Sequence, residues 1–278
     1  MVKRKGRQPA EAVSRSESSR RNGRVTGPDL DPTTTQAIFR PLKAAESVAR
    51  DIAHDIIDQG LATGDPLPNE ASMIEHYRVS RESLREGLRL LETQGLITIR
   101  RGPGGGPLVG SVDPANLGRV SSLYFHMAGA TYAELFDAWL MAETLIAEHA
   151  ARNPDAAKRR QLMEPYLGEH VGDDPTELDE FFAMHSAFHV RLGILMDNRV
   201  LELTMRSYGT IVSHHTVRVD DPRRLGDVLV DDHRSIAKAV AAGHATKART
   251  EMQRHIENVI DDIRAHMGDK VHDYVEWL

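Results

Sequence analysis

The sequence predicts a mainly α protein: an N-terminal winged helix-turn-helix domain with a small β wing, followed by a C-terminal antiparallel bundle of six or seven helices. Three observations lead there. Apolar residues recur at helical spacing through most of the chain after Lys43. Two of these helical stretches meet at the tight turn "RVS" and run into "LITIR", the turn "RGPGGG" and "PLVG", a helix-turn-helix followed by a hairpin. Charge also divides along the chain: residues 1–110 carry 17 Lys and Arg against 14 Asp and Glu, and the remainder 18 against 27. A basic first part and an acidic second part point to a polyanionic partner for the first.

Length and composition bound the rest. At 278 residues the chain exceeds one typical domain. With 40% apolar and 27% charged residues it can bury ordinary cores, and no stretch approaches the roughly 20 apolar residues of a membrane span. The expected compartment is the cytoplasm, with no membrane partner. The chain has no cysteine, so disulfides and thiolate metal sites are excluded and any metal must use His, Asp or Glu.

Three segments follow, at 1–40, 41–110 and 111–278. The first, rich in Arg, Ser, Gly and Pro and almost without large apolar residues, is expected to be a disordered basic tail, because it has too little to bury to offset its ordering entropy. Its Lys3, Arg4, Lys5 and Arg7 suit either a solvated tail or non-specific phosphate contacts. In the second, Val48, Ile52 and Ile56 fall on one helical face and Gly60 closes that helix. Turn chemistry at Gly64, Asp65, Pro66 and Pro68 precedes a short helix that turns Met73, Ile74 and Tyr77 inward. Ser80 is the expected N-cap of the next helix, its hydroxyl accepting from a free backbone N–H of the first turn. There Leu84, Leu88 and Leu91 form the core stripe, Gly87 admits a close neighbour, and Arg81, Arg85 and Arg89 occupy the other side.

Such a charge run is ordinarily a solvated face paired with Glu82, Glu86 and Glu92. The hairpin that follows favours a second reading, in which the arginines enter the major groove of DNA, where a guanidinium bridges guanine N7 and O6. Arg100 and Arg101 would then meet phosphates or the minor groove.

Residues 43–110 closely resemble the winged helix-turn-helix of the GntR family of bacterial transcription regulators. The resemblance lies in "LPNEASMIEHYRVSRESLREGLRLLETQGLITIRRG". It implies that Ser80, Arg81, Ser83 and Arg85 lie at a double-stranded DNA operator and that Arg101 and Gly102 form the wing tip. Where the family often has Arg after the Glu of this segment, the chain has Ala71, so one of the family's DNA contacts is missing.

From about residue 111 only helices are expected, in "AELFDAWLMAETLIAEHAARN", "ELDEFFAMHSAFHVRLGILM", "RVLELTMRSYGTIVSHHTVRV", "VDDHRSIAKAVAAG" and "ATKARTEMQRHIENVIDDIRAHM", with "PANLGRVSSLYFHMAG" leaving room for one more. The order of these helices resembles the FCD ligand-binding domain of the FadR subfamily. His185 and His189 share one helix face, and His233 and His255 sit in apolar stretches of two others. In relatives an Asp, a His four residues later and two further His hold a divalent metal. Here His189, His233 and His255 match the three histidines, and His185 stands where the Asp would be. Replacing a hard, negative oxygen by a neutral nitrogen shifts the expected ion toward zinc or nickel and away from magnesium or calcium.

Asp231 and Asp232 suit either orientation of the rings or a plain exposed surface. At most one of His214 and His215 can face the pocket. Trp139, near where relatives often carry an effector-binding arginine, suits either a changed pocket or a buried aromatic, and Arg191, Arg206 and Arg218 are the candidates to replace that charge. The resemblance implies a homodimeric transcription regulator, a repressor, whose operator affinity responds to a small-molecule effector, a carboxylate, held near the metal. A metalloregulator that senses the ion itself and a metal-dependent enzyme are the competing readings; the second leaves the arginines and the wing unexplained.

Overall fold

The computed structural model describes residues 43–102, 104–168, 178–216 and 226–278. The basic tail and Arg218 lie outside them. Among the described residues there are ten α-helices and one two-stranded sheet.

The first unit is built from α1 (Ala44–Asp58), α2 (Glu70–Tyr77), α3 (Arg81–Thr93), β1 (Ile97–Arg100) and β2 (Gly106–Val109). Gln59 caps α1 and Gly60 follows in the left-handed region at φ 63°. Asn69 caps α2 by accepting from the Ser72 N–H at 3.0 Å. Arg78, at φ 53°, makes the sharp exit that leaves only Val79 and Ser80 before α3. Ser80 caps α3 as expected, accepting from the Ser83 N–H at 3.1 Å. The two strands pair antiparallel with Ile97 opposite Val109 and Arg100 opposite Gly106, the first starting one residue later and the second one residue earlier than the apolar pattern suggests. Leu67 donates to the Pro107 carbonyl and Val109 to that of Asp65, so the loop before α2 fastens the hairpin to the helices.

The core of this unit is one apolar cluster containing Val48, Ile52, Met73, Leu84, Leu88, Leu91 and Ile97. Helix α3 packs across α1 with Gly87 at the crossing. A Cβ there would stand 2.5 Å from Val48 Cγ1 and 3.0 Å from the Ala45 carbonyl. Replacing Gly87 with Ala is therefore expected to destabilise the protein by about 1–3 kcal/mol, the usual cost of overpacking, as read by urea unfolding.

Seven helices make the second unit: α4 (Pro114–Ala128), α5 (Tyr132–Arg152), α6 (Ala156–Met163), α7 (Leu178–Leu195), α8 (Arg199–Thr216), α9 (Gly226–Ala242) and α10 (Ala245–Met267). Their starts follow from the sequence: Asp113 with Pro114 opens α4, Thr131 with Glu134 forms a capping box on α5, and Asp155 caps α6. Helix α10 packs along both α5 and α9, α7 packs against both α5 and α8, and α4 covers α8. A second apolar cluster, separate from the first, fills the space between them and includes Phe136, Phe188, Leu192, Ile211, Ile236, Met252 and Ile256.

The last residues dock where no helical pattern announces them. Val275 is fully buried, donates its N–H to the Ala130 carbonyl and accepts from His126 Nδ1 at 2.9 Å. The Glu276 N–H donates to the Tyr132 hydroxyl. The chain end thus ties α4 to the start of α5.

Candidate functional sites: a basic helix face and a buried histidine cluster

On α3 the buried stripe leaves Arg81, Arg85 and Arg89 on the exposed side, at the spacing of one helical turn. None of the three is taken into the core. Arg85 has a partner that the expected pairing with Glu82, Glu86 and Glu92 does not include: it donates from Nε and Nη2 to the Glu70 carboxylate of α2 at 3.2 to 3.3 Å. The Ser83 hydroxyl accepts from that of Ser80 at 3.0 Å. In the wing, Arg101 and Gly102 are exposed, and Gly102 takes φ 103°, which favours glycine. Arg100 is exposed as well, and its Nη2 donates to the Gly104 carbonyl at 3.2 Å across the turn.

In the bundle, His189 of α7, His233 of α9 and His255 of α10 converge, with one nitrogen from each ring lying within 4.8 Å of the others. His185 does not join them. Four residues earlier on α7, it is displaced along the axis by about 6 Å, and its ring lies 5.3 Å from that of His233, about as near as the ring of His189 at 5.4 Å. Three of the four expected histidines thus bring a nitrogen together, and the ring of the fourth, His185, lies against that of His233.

What surrounds the trio decides which nitrogens face inward. His189 Nδ1 is 2.9 Å from Glu143 Oε2, and His255 Nδ1 is 3.3 Å from Asp232 Oδ2. Carboxylates on these nitrogens leave the opposite ring nitrogens as acceptors. His233 is stacked on Phe188 with ring centroids 4.0 Å apart, and its Nε2 is buried with no hydrogen-bond partner among the described residues. An orphaned buried nitrogen beside two oriented imidazoles fits a divalent transition ion, which would satisfy it and leave positions open for a ligand.

The electrostatics agree with neutral donors. Burial pushes His233 well below the ordinary histidine range, and the neighbouring rings of His255, His189 and His185 push the same way. Burial also lowers His255, although Asp232 opposes it. For Asp232 burial alone would favour the neutral acid, but hydrogen bonds and charge from His255 and Arg254 together hold it below the usual carboxylate range.

Glu143 is the site residue that sequence reasoning missed. It is 4% exposed, on the face of α5 that also buries Phe136 and Ala147, and its signal was a carboxylate falling on an apolar helical stripe. Glu143→Gln is expected to lower zinc affinity roughly 10- to 100-fold, as measured by competition with a chelator, since the amide no longer fixes the ring as an anion does.

The remaining candidates divide. Asp232 faces the site, whereas Asp231 is exposed and pairs with Arg234. His215 is buried, 3.2 Å from the Tyr132 hydroxyl, and His214 is exposed. Trp139 packs half-buried against the bundle core. Arg206 pairs with Glu202 on its own helix, while the Arg191 guanidinium lies 6.0 Å from the centre of the Tyr166 ring, itself 6.3 Å from His233.

Comparison with known proteins places both units. Residues 44–105 match the profile of the bacterial regulatory proteins of the gntR family, and residues 134–258 match that of the FCD domain. The chain is 29% identical over 177 residues to the Glc operon transcriptional activator of Escherichia coli, covering 60% of this chain and 66% of the relative. It is 29% identical over 184 residues to the Exu regulon transcriptional regulator of the same species, covering 64% and 66%. Over 78 residues it is 36% identical to an uncharacterized HTH-type transcriptional regulator of Mycobacterium tuberculosis, covering 27% of this chain and 32% of that one. The aligned part thus spans at most 66% of these relatives. A solved structure of a GntR protein from Streptococcus agalactiae is similar with a TM-score of 0.60 and 25% identity, covering 78% of this chain and 99% of that one. These relatives are regulators and not enzymes, which removes the metal-dependent enzyme from the readings. The chain thus carries the helix-turn-helix of the gntR family of bacterial regulatory proteins followed by an FCD domain, an order consistent with a regulator of the GntR/FadR type.

Proposed function

We propose that the protein is a cytoplasmic transcription regulator that binds an operator as a homodimer through α3 and the wing, and that it acts as a repressor. A small organic acid or similar metabolite, bound beside a divalent ion in the bundle, changes its operator affinity. The observation that carries this reading is the exposed arginine face of α3 next to a wing, in one chain with a buried cluster of three histidines. The reader side is assigned to Ser80, Arg81, Ser83, Arg85, Arg101 and Gly102.

The metal side is assigned to His189, His233 and His255, with His185 beside them, and the ion to zinc or nickel, since three neutral nitrogens suit borderline ions better than hard ones. When bound, the ion supplies a positive charge with open positions for an anionic ligand. Glu143 and Asp232 orient the rings. Binding shifts the balance between arrangements of the two reader units in the dimer, and so the fit to both half-sites. A line of exposed apolar residues on α4, Leu117, Val120, Tyr124 and Met127, supports self-association.

The test is to recover genomic fragments with the full-length protein and measure its affinity for them with zinc or nickel alone, and then with a panel of small organic acids added. A change only when the acid is added supports this reading. A change with metal alone makes the ion the signal, the metalloregulator reading. Failure to retain any duplex at about 0.15 M salt overturns the assignment of α3.

A further inference from the structure

The Glu70–Arg85 pair joins the first residue of α2 to the exposed face of α3. Both partners are partly open to solvent, with side chains 38% and 62% exposed, so the contact does little for stability. Its geometry is more informative. The carboxylate takes one edge of the guanidinium, the edge formed by Nε and Nη2. The other edge, between the two terminal nitrogens, keeps donors for a second planar acceptor pair. Arg81 and Arg89, on the same face, have no ion pair among the described residues.

We infer that Glu70 is a positioning residue for DNA recognition: it holds Arg85 so that its free edge addresses the O6 and N7 of a guanine, and it cancels the charge that would draw the same side chain to any phosphate. This rests on the proposed reading of α3 as the element that enters the major groove. An unrestrained arginine is long and flexible and satisfied equally by the backbone of any sequence, which raises affinity without raising discrimination. A guanidinium clamped along one edge has fewer orientations to lose on meeting a base and less net attraction for phosphates. Glu70 thus exchanges general affinity for selectivity at one base pair. It belongs to a different helix from the arginines, which is why a reading of α3 alone does not find it.

The experiment uses full-length protein. Duplexes are selected from a random pool by the wild type and by Glu70→Ala, Glu70→Gln and Arg85→Ala, and binding to the selected and to an unrelated duplex is measured over a range of salt. Unchanged melting temperatures confirm that the variants fold. Glu70→Ala is expected to relax the preference for guanine at one position by about tenfold. Its binding to the unrelated duplex should rise roughly 3- to 10-fold at 0.1 M salt, with a salt dependence steeper by up to about one phosphate. Glu70→Gln, which keeps an acceptor but not the charge, should match Ala in salt dependence and lie between Ala and wild type in base preference. Arg85→Ala should lose the same guanine preference outright. If Arg85→Ala loses it while both Glu70 variants keep the wild-type preference and salt dependence, the inference is overturned and the reading of Arg85 stands. If Arg85→Ala leaves the preference intact, both fall together.

Discussion

Arg85→Ala is expected to weaken binding of the operator by about 1–3 kcal/mol, the range for a side chain that reads a base. The argument rests on position and accessibility. Leu84, Leu88 and Leu91 fix the rotation of α3 by filling the core, and this turns Arg85 to the exposed side together with Arg81. The loss should fall on the selected duplex and barely affect a random one, because in the wild type Glu70 already offsets the charge of this residue. Arg81→Ala should act differently, reducing affinity for both duplexes where its contact is to phosphate. Electrophoretic mobility or fluorescence anisotropy titrations at fixed salt measure both. Retention of full affinity by Arg85→Ala would remove that residue from the interface.

His233→Ala is the second large effect. It removes one of three ligands, and metal affinity is expected to fall by more than the roughly 10- to 100-fold typical of losing an outer-shell partner. Binding of the metal-free protein to its operator should remain near the wild-type value, because His233 lies in the core of the bundle and not in the apolar cluster that supports α3. Elemental analysis after incubation with zinc or nickel and removal of excess ion reads the first effect, and a binding titration in chelator reads the second. Since His233 stacks on Phe188, a helical circular dichroism spectrum is the control for folding. Undiminished metal content would show that the trio is a packed histidine core and nothing more.

Much of this was legible in the sequence because the signals are local. Helical spacing and the residues at the caps marked α1, α2 and α3, and the Gly87 crossing followed from a glycine inside an apolar stripe. The hairpin was visible because "RGPGGG" can hardly be anything but a turn. Three histidines were legible only as matches to a family pattern, since nothing in their local spacing says that α7, α9 and α10 meet.

What was not legible depends on contacts between distant segments. Glu143 and Glu70 each lie on a helix other than the one that carries the functional side chain they touch. Arg100 and Arg101 are adjacent and chemically alike, and only the wing shows that one of them also donates across the turn, to the Gly104 carbonyl. His185 stands at the family's Asp position and shares a helix face with His189, but an i, i+4 relation does not by itself say how near its nitrogens come to those of His233 and His255. The docked end at Val275 has too few residues for any period to appear.

The most direct test of the central claim, that the arginine face of α3 reads bases in the major groove, is guanine N7 methylation interference on the selected duplex. The account predicts that methylation of one guanine in each half-site blocks binding of the wild type and has no effect on what binding remains in Arg85→Ala. Interference that is absent in the wild type, or that persists unchanged in Arg85→Ala, would contradict it.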